Sequence, residues 1–442
     1  MDKVKNNGLL EEKTFYYYVL SCMIIMPLAE LVSEFFGVVY YSQPAILSVY
    51  GVVGFCLCVL KLCMNIKNGG IKWQDIFFVT LFIFSTIALV FSTKVDGVEE
   101  ALTNSELPTH FLAYYSLMYA SFQVKDNKKK KNLIIAFAGL AFAEGIIGIL
   151  QTFEIKIQEV LFETTTMEVY GLTENTNFFG ALSVLFFGVT IALFVFTEKR
   201  KLKVLYGIIF AVNFYCSFNS MARLAWVGDF VIVLFMAISL LIMKRRSKEE
   251  TCYKRYLLSW AASLVIIAAV LSVSFVKSDL PMKRIDKSVS ELESGDLNEF
   301  GTARGYIWKY AFESVPKHWA TGIGLDNFRA VFYENPSWTE GMYSRGKAHN
   351  EYIHTLATQG VFALLNYLIL LIISAKESIK RILITEDKKE RLLTWTFLAM
   401  FSGYVVSALF NSSIINVAMY FWIVIGLLNP REKNDEKLSE TN

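Results

Sequence analysis

The chain has 442 residues, enough for two or three soluble domains, yet 54% of it is hydrophobic and only 19% charged, against about 25% charged in an ordinary soluble protein. Disorder is excluded, because it needs few apolar residues and a high net charge. A formal net charge of +3 argues against a general nucleic-acid binder.

Charges cluster between long apolar runs. Twelve runs lie near the roughly 20 residues that a bilayer core requires: approximately 15–34, 45–65, 73–93, 108–124, 133–152, 177–197, 203–219, 224–244, 256–276, 352–374, 392–410 and 413–429. None alternates as a strand would. The expected fold is therefore all-α: one polytopic membrane domain over 1–442, with about 12 transmembrane helices. Its one large extracytoplasmic loop, 277–351, precedes the tenth span.

Lys and Arg set the orientation. With the N-terminus inside, 30 of the 43 basic residues fall on the inner side. The short outer loops hold only Lys94, Lys156 and Arg223, and the remainder sit in 277–351, a segment long enough to escape the rule. Both termini are expected to be cytoplasmic, in a bacterial plasma membrane. The first run lacks a small-residue cleavage site and reads as a signal anchor. No cysteine falls in an outer loop, so no extracytoplasmic disulfide is expected. Cys56 and Cys58 lack the two further ligands that zinc needs.

Along the chain, the polarity that could carry chemistry is confined to a few places. Segment 153–161 reads as an amphipathic helix lying on the outer interface. Asn175 and Asn177 either cap the sixth span or line a polar substrate path. Three acids lie within spans: Glu30, Glu144 and Asp229. Each is either a functional candidate or an internally bonded group. Asp229 is six residues beyond Arg223, about 9 Å along a helix, and could orient it. Residues 288–299 read as a solvated charged connector; Glu291, Glu293 and Asp296 there are weak as a metal site. An aromatic helix follows around 304–312, with Tyr306, Trp308 and Tyr310, suited to the membrane interface.

Arg223, at the start of the eighth span, reads either as a snorkelling interfacial side chain or as an anion fork. Arg304 could supply a second fork. His349 precedes Asn350, an N-cap for the tenth span. A helix N-terminus favours neutral imidazole, which a general base needs near pH 7. The plain alternative is an interfacial histidine. His354 lies about 140° further around the helix, so the two do not form a zinc pair. His110 and His318 show no convincing partners in the sequence.

At these residues the chain resembles the O-antigen ligase and O-antigen polymerase (Wzy-type) superfamily. His349 and Asn350, with Gly360 after nine more residues, resemble its H-[NSQ]-x9-G motif. Ser220, Met221, Ala222 and Arg223 are similar to its SRG turn. Arg304, Trp308, Pro316 and the stretch 322–328 (GIGLDNF) resemble its R…W…P…G-x-G…F pattern, and 175–178 (NTNF) its N-x-N-F element. Residues 361–364 (VFAL) lack the G-x-x-G-T-G ending of typical ligases, which favours a polymerase or another ligase-like member over a classical lipopolysaccharide ligase.

The resemblance implies a GT-C-like, metal-independent glycosyltransferase without a cofactor. Its donor would be a glycan on polyprenyl (undecaprenyl) diphosphate at the outer leaflet. His349 would deprotonate the attacking hydroxyl. Arg223 and Arg304 would bind the diphosphate, with Asn350, Asn175, Asn177, Asp229 and Trp308 in support. The expected function is polymerisation of O-antigen- or capsule-type repeat units. The alternatives are ligase-like transfer of a finished glycan to lipid, teichoic polymer or protein, and a non-catalytic transporter or flippase. Expected partners are the donor, the acceptor and the bilayer, with polysaccharide assembly proteins as candidates and no nucleic acid.

Overall fold

A computed structural model describes residues 10–36, 42–93, 106–153, 168–173, 175–246, 250–295, 300–339, 342 and 344–431. Among these, every regular element is helical. The helices are α1 (Glu12–Phe36), α2 (Ser42–Gly69), α3 (Trp73–Val90), α4 (Pro108–Phe122), α5 (Asn127–Thr152), α6 (Thr176–Phe196), α7 (Arg200–Asn219), α8 (Arg223–Arg246), α9 (Glu250–Lys277), α10 (Leu280–Glu293), α11 (Phe300–His318), α12 (Ala330–Tyr333), α13 (Glu351–Ile384), α14 (Lys388–Ser407) and α15 (Ile415–Leu428). The expected interfacial helix at 153–161 falls almost wholly outside the described residues.

All twelve apolar runs are helices, but ten are long and apolar enough to cross a membrane. The other two, α4 and α15, have 15 and 14 residues, about 22 and 21 Å against a core of about 30 Å. Their surroundings explain the difference. In α4 every residue from Tyr114 through Phe122 is buried, and in α15 every residue from Val417 through Leu428. They pack on each other inside the bundle, so contact with lipid does not set their length. Helix α6 is also buried over most of its circumference, among α5, α7, α8 and α14, as a helix apolar all round must be. By contrast, Leu258 and Val265 of α9, Phe230 of α8 and Ile372 of α13 are exposed. An apolar surface of that kind requires lipid as its solvent.

The two ends of the bundle differ. At one, Glu12 accepts from the backbone N–H groups of Lys125 and Asp126 at 3.0 and 2.8 Å, and Lys388 pairs with Glu198 at 2.8 Å. At the other, Lys277 donates to the carbonyl of Thr152 at 2.8 Å, and α10 through α12 lie between the ends of α9 and α13.

Helices α11 and α12, with the loop between them, form a small layer with its own core. Ile307, Tyr310 and Ala311 of α11 pack against Ile323, Phe328, Val331 and Phe332. The aromatic face expected at the membrane interface is therefore largely consumed by this core, because the segment brings its own apolar partners. The expected solvated connector also proves structured in part. Residues 288–293 belong to α10, and Glu291 is buried, since it finds a cationic partner across the layer.

Candidate functional site

The site begins with a break in α13. Gly360 has φ 83° and ψ 176°, a conformation that interrupts the helix after two and a half turns. The break frees backbone groups, and residues 319–324 take them up. The N–H groups of Ile323 and Gly324 donate to the carbonyls of Ala357 and Thr358 at 2.8 and 3.1 Å, and the N–H of Val361 donates to Trp319 O at 2.7 Å. Gly322, at φ 70°, lies so close that a Cβ would stand 2.2 Å from the carbonyl carbon of Thr358. Thus the glycine of the H-N-x9-G motif and the first glycine of the 322–328 stretch form two sides of one backbone clasp.

The short helix ahead of the break presents His349. This residue has φ 51°, in the left-handed region that a β-substituted residue enters at a cost. Its neighbours hold it there. Trp308 on α11 donates its indole N–H to Ala348 O at 2.8 Å. Asn350 caps α13, accepting from the N–H groups of Tyr352 and Ile353 at 3.0 Å each. Among the described residues no hydrogen-bond partner meets the His349 ring, which faces a cleft of about 460 Å³. Glu30 of α1, Phe178 of α6, Arg329, Arg345 and Asn416 line the same cleft. Burial, reinforced by the charges of Arg304, Arg345 and Lys347, pulls the His349 pKa down to about 4. The imidazole is neutral at pH 7.

The arginines form a second cluster. Arg223 starts α8 directly after a turn in which Met221 has φ 55°. Its guanidinium grips Glu291 in a two-pronged pair at 2.5 and 3.0 Å, and the N–H of Gly301 donates to the same carboxylate at 3.2 Å. Arg223 holds the pKa of Glu291 below the usual carboxylate range. Arg284 of α10 donates to Met221 O at 3.1 Å. Arg304 lies near enough for burial and the charges of Arg223 and Arg284 to lower its pKa to about 10. No hydrogen bond to the Arg304 side chain occurs among the described residues. Three guanidinium groups and one carboxylate thus leave a concentrated positive charge, and one of the three, Arg304, also acts on His349.

The structure brings Arg223 and Arg304 into one electrostatic cluster, with Arg304 also acting on His349. Arg223, however, is already engaged by Glu291. Asp229 does not orient it: its carboxylate accepts from Ser217 at 2.7 Å, and Ser217 accepts in turn from Ser183 at 3.0 Å. Glu144 likewise has an internal partner, the N–H of Leu172 at 3.0 Å. Asn175 caps α6, accepting from the N–H of Asn177 at 2.8 Å, which is the plainer of its two expected roles. Of the three acids considered for metal, Glu291 is paired, Glu293 is exposed and Asp296 lies outside the described residues.

The two histidines without convincing partners in the sequence have them in the fold. His318 meets Glu334 at 2.8 Å, and His110 meets Pro44 O at 3.2 Å. Both partners come from other segments and leave no local signal.

Asp326, Lys347 and Glu106 were not singled out in the sequence. Asp326 is buried, with φ 54°, inside the 322–328 stretch. One carboxylate oxygen accepts from Lys347 Nζ at 2.6 Å and from His354 Nε2 at 2.8 Å; the other accepts from the Glu106 N–H at 2.5 Å. Burial opposes ionisation of Asp326, but Lys347 and His354 outweigh it and hold its pKa low. Burial also opposes the charge on Lys347, and Asp326 and Glu106 outweigh it. The available signal was the positioning of Asp326 between two glycines and Phe328, and of Lys347 two residues before His349.

An all-helical, polytopic membrane architecture with a cationic site under a helical layer defines the class. Within it, a family model for O-antigen ligases matches residues 208–368. The matched stretch contains Arg223, Glu291, Arg304, Asp326, His349 and Gly360. The match bears out the chain's resemblance to the ligase and polymerase superfamily and supports a glycosyltransferase-like membrane enzyme. No curated protein matches the chain.

Proposed function

We propose that the protein is a membrane glycosyltransferase that polymerises surface-polysaccharide units carried on polyprenyl diphosphate, at the outer face of a bacterial plasma membrane. The observation that carries this reading is the neutral, unbonded imidazole of His349 in a cleft beside Arg304, within the matched domain. His349 takes the proton of an acceptor hydroxyl while the hydroxyl oxygen attacks the anomeric carbon of the donor. The bond from that carbon to the diphosphate oxygen breaks, and polyprenyl diphosphate departs with its charge. Arg304 meets that charge, a role in which a fixed cation acts most strongly in the transition state. A bound diphosphate also screens the cations around His349 and raises its pKa from about 4 toward the working pH, where a base is more effective.

Arg223 is assigned to the same diphosphate, with one condition. Its fork is shaped for a bidentate anion, and Glu291 occupies it at 2.5 and 3.0 Å. Arg223 therefore reaches the donor only as Glu291 yields. A metal is not needed in this scheme, since guanidinium groups supply the positive charge.

The family description favours a second reading, transfer of a finished glycan to a lipid, teichoic or protein acceptor. Both readings use the same base and the same leaving group. His349→Ala, expressed at wild-type abundance, tests them together. A polymerase variant loses the ladder of chain lengths on the cell surface. A ligase variant leaves long glycan on the polyprenyl carrier. A cell surface indistinguishable from wild type contradicts both.

A further inference from the structure

We propose that Asp326 is a positioning residue for His349, acting through a polar tie that closes the chain on both sides of the imidazole. The inference rests on the reading of His349 as the base. It starts from one atom. The same oxygen of Asp326 accepts from Lys347, two residues before His349, and from His354, five residues after it. The stretch 347–354 is thus a loop closed through a single carboxylate oxygen, with His349 inside it.

The closure matters because His349 stands in a left-handed conformation, which a chain leaves unless its surroundings fix it. Three restraints flank it: Lys347 to Asp326, Ala348 O to Trp308, and Asn350 to the first turn of α13. The Asp326 restraint is the most deeply buried, and it reaches furthest. Through its second oxygen it holds the N–H of Glu106, ahead of α4. Glu106 in turn accepts from Tyr114 at 2.7 Å and faces Lys347 at 3.7 Å. Asp326 itself is fixed by the loop that docks at Gly360, whose neighbour Asn327 donates to Thr93 O at 2.9 Å. The position of the imidazole is therefore tied to α3, α4 and α13 together, and a single carboxylate joins them.

The titratable and charged groups facing His349 are Arg304 from α11, Arg345, Lys347 and His354 from its own stretch of chain and helix, and, lining the same cleft, Glu30 from α1 and Arg329. When the tie is cut, the ring gains water and distance from Arg304, Arg345 and Lys347, and its pKa rises toward the solution value of about 6.5. In a variant that stays folded, that gives a readout which lost packing elsewhere does not produce.

The test uses the purified full-length chain in detergent and diethyl pyrocarbonate as the probe. Modification of the His349 ring is followed by mass spectrometry against pH, with His318 as internal reference. Asp326→Asn is expected to move the His349 midpoint up by about one unit or more and to cut polymer formation in cells at least about tenfold at equal abundance. Trp308→Phe, which removes one N–H and keeps an aromatic ring in place, is expected to shift both in the same direction. If Asp326→Asn cannot be recovered folded, Asp326→Ser, a smaller polar replacement that also cuts the tie, decides instead. An unmoved His349 midpoint in the folded variants overturns the positioning role, whatever happens to activity. Wild-type polymer in His349→Ala overturns instead the catalytic reading on which the inference rests.

Discussion

A base that is neutral throughout the physiological range is ready for every turnover, but a low pKa also makes it weak until its surroundings change. His349, as the proposed base, is in that situation. Its pKa near 4 lies below the value of an unfolded histidine, so the folded site favours the neutral form, and that preference is lost only as pH falls through about 4. The acid limb of kcat/KM should accordingly lie near 4, not near 6.5. The acid limb of kcat should lie higher, because it reports the complex in which the charge of the proposed diphosphate donor offsets Arg304. A pH-rate profile with both limbs near 6.5 would contradict this electrostatic picture. At the arginines, Arg304→Ala should lower kcat by roughly 10²-fold, the scale for loss of one preorganised charge donor. Arg223→Lys keeps the charge but loses the fork that holds Glu291. Full activity in Arg223→Lys would argue against bidentate anion binding there. His349, Arg223 and Arg304 were legible in the sequence because each stands at a helix boundary or in an aromatic motif. Glu291 and Asp326 were not. Their partners lie 68 and 21 to 220 residues away, and a local pattern carries no information about such pairings.

Among the elements, α13 shows what a motif glycine is for. The spacing from His349 to Gly360 places a helix break where the 319–324 loop can form three backbone hydrogen bonds. A Cβ at Gly360 would sit 2.4 Å from Ala320 O, in a conformation that L-residues rarely adopt. Gly360→Ala should therefore destabilise the protein by roughly 1–3 kcal/mol and disturb the site while leaving the bundle assembled. Thermal unfolding of the purified variant, read beside surface polymer, checks this; an unchanged Tm with full activity would mean that the clasp is dispensable. The apolar runs made the helices themselves easy to find. Two features were hidden at this scale. The shortness of α4 and α15 follows from burial among other helices, which hydropathy cannot separate from burial in lipid. The burial of Glu291 on α10 depends on a neighbour that the sequence places elsewhere.

For the molecule as a whole, the separation of charge gives an orientation that can be measured independently of chemistry. With 30 of 43 basic residues on the expected inner side, a reporter fused at residue 129 should be cytoplasmic and one at 295 external. The reverse result would put His349 on the wrong side of the membrane for a donor at the outer leaflet. The structure supports a division of labour consistent with that arrangement. The bundle buries α4, α6 and α15 and turns apolar side chains outward, while a small helical layer with its own core carries Arg304 and Asp326 over the break in α13. The order of motifs made the family recognisable in the sequence. The way the 322–328 loop and the His349 segment meet became visible only in three dimensions, because it depends on backbone groups that no side-chain pattern encodes. One measurement tests the chemistry most directly: release of free polyprenyl diphosphate from a lipid-linked glycan by the purified protein, compared between wild type and His349→Ala. Turnover in the wild type and a fall of at least about 10²-fold in the variant, with donor binding retained, is the predicted result. Equal turnover in both would contradict the role of His349 as the base.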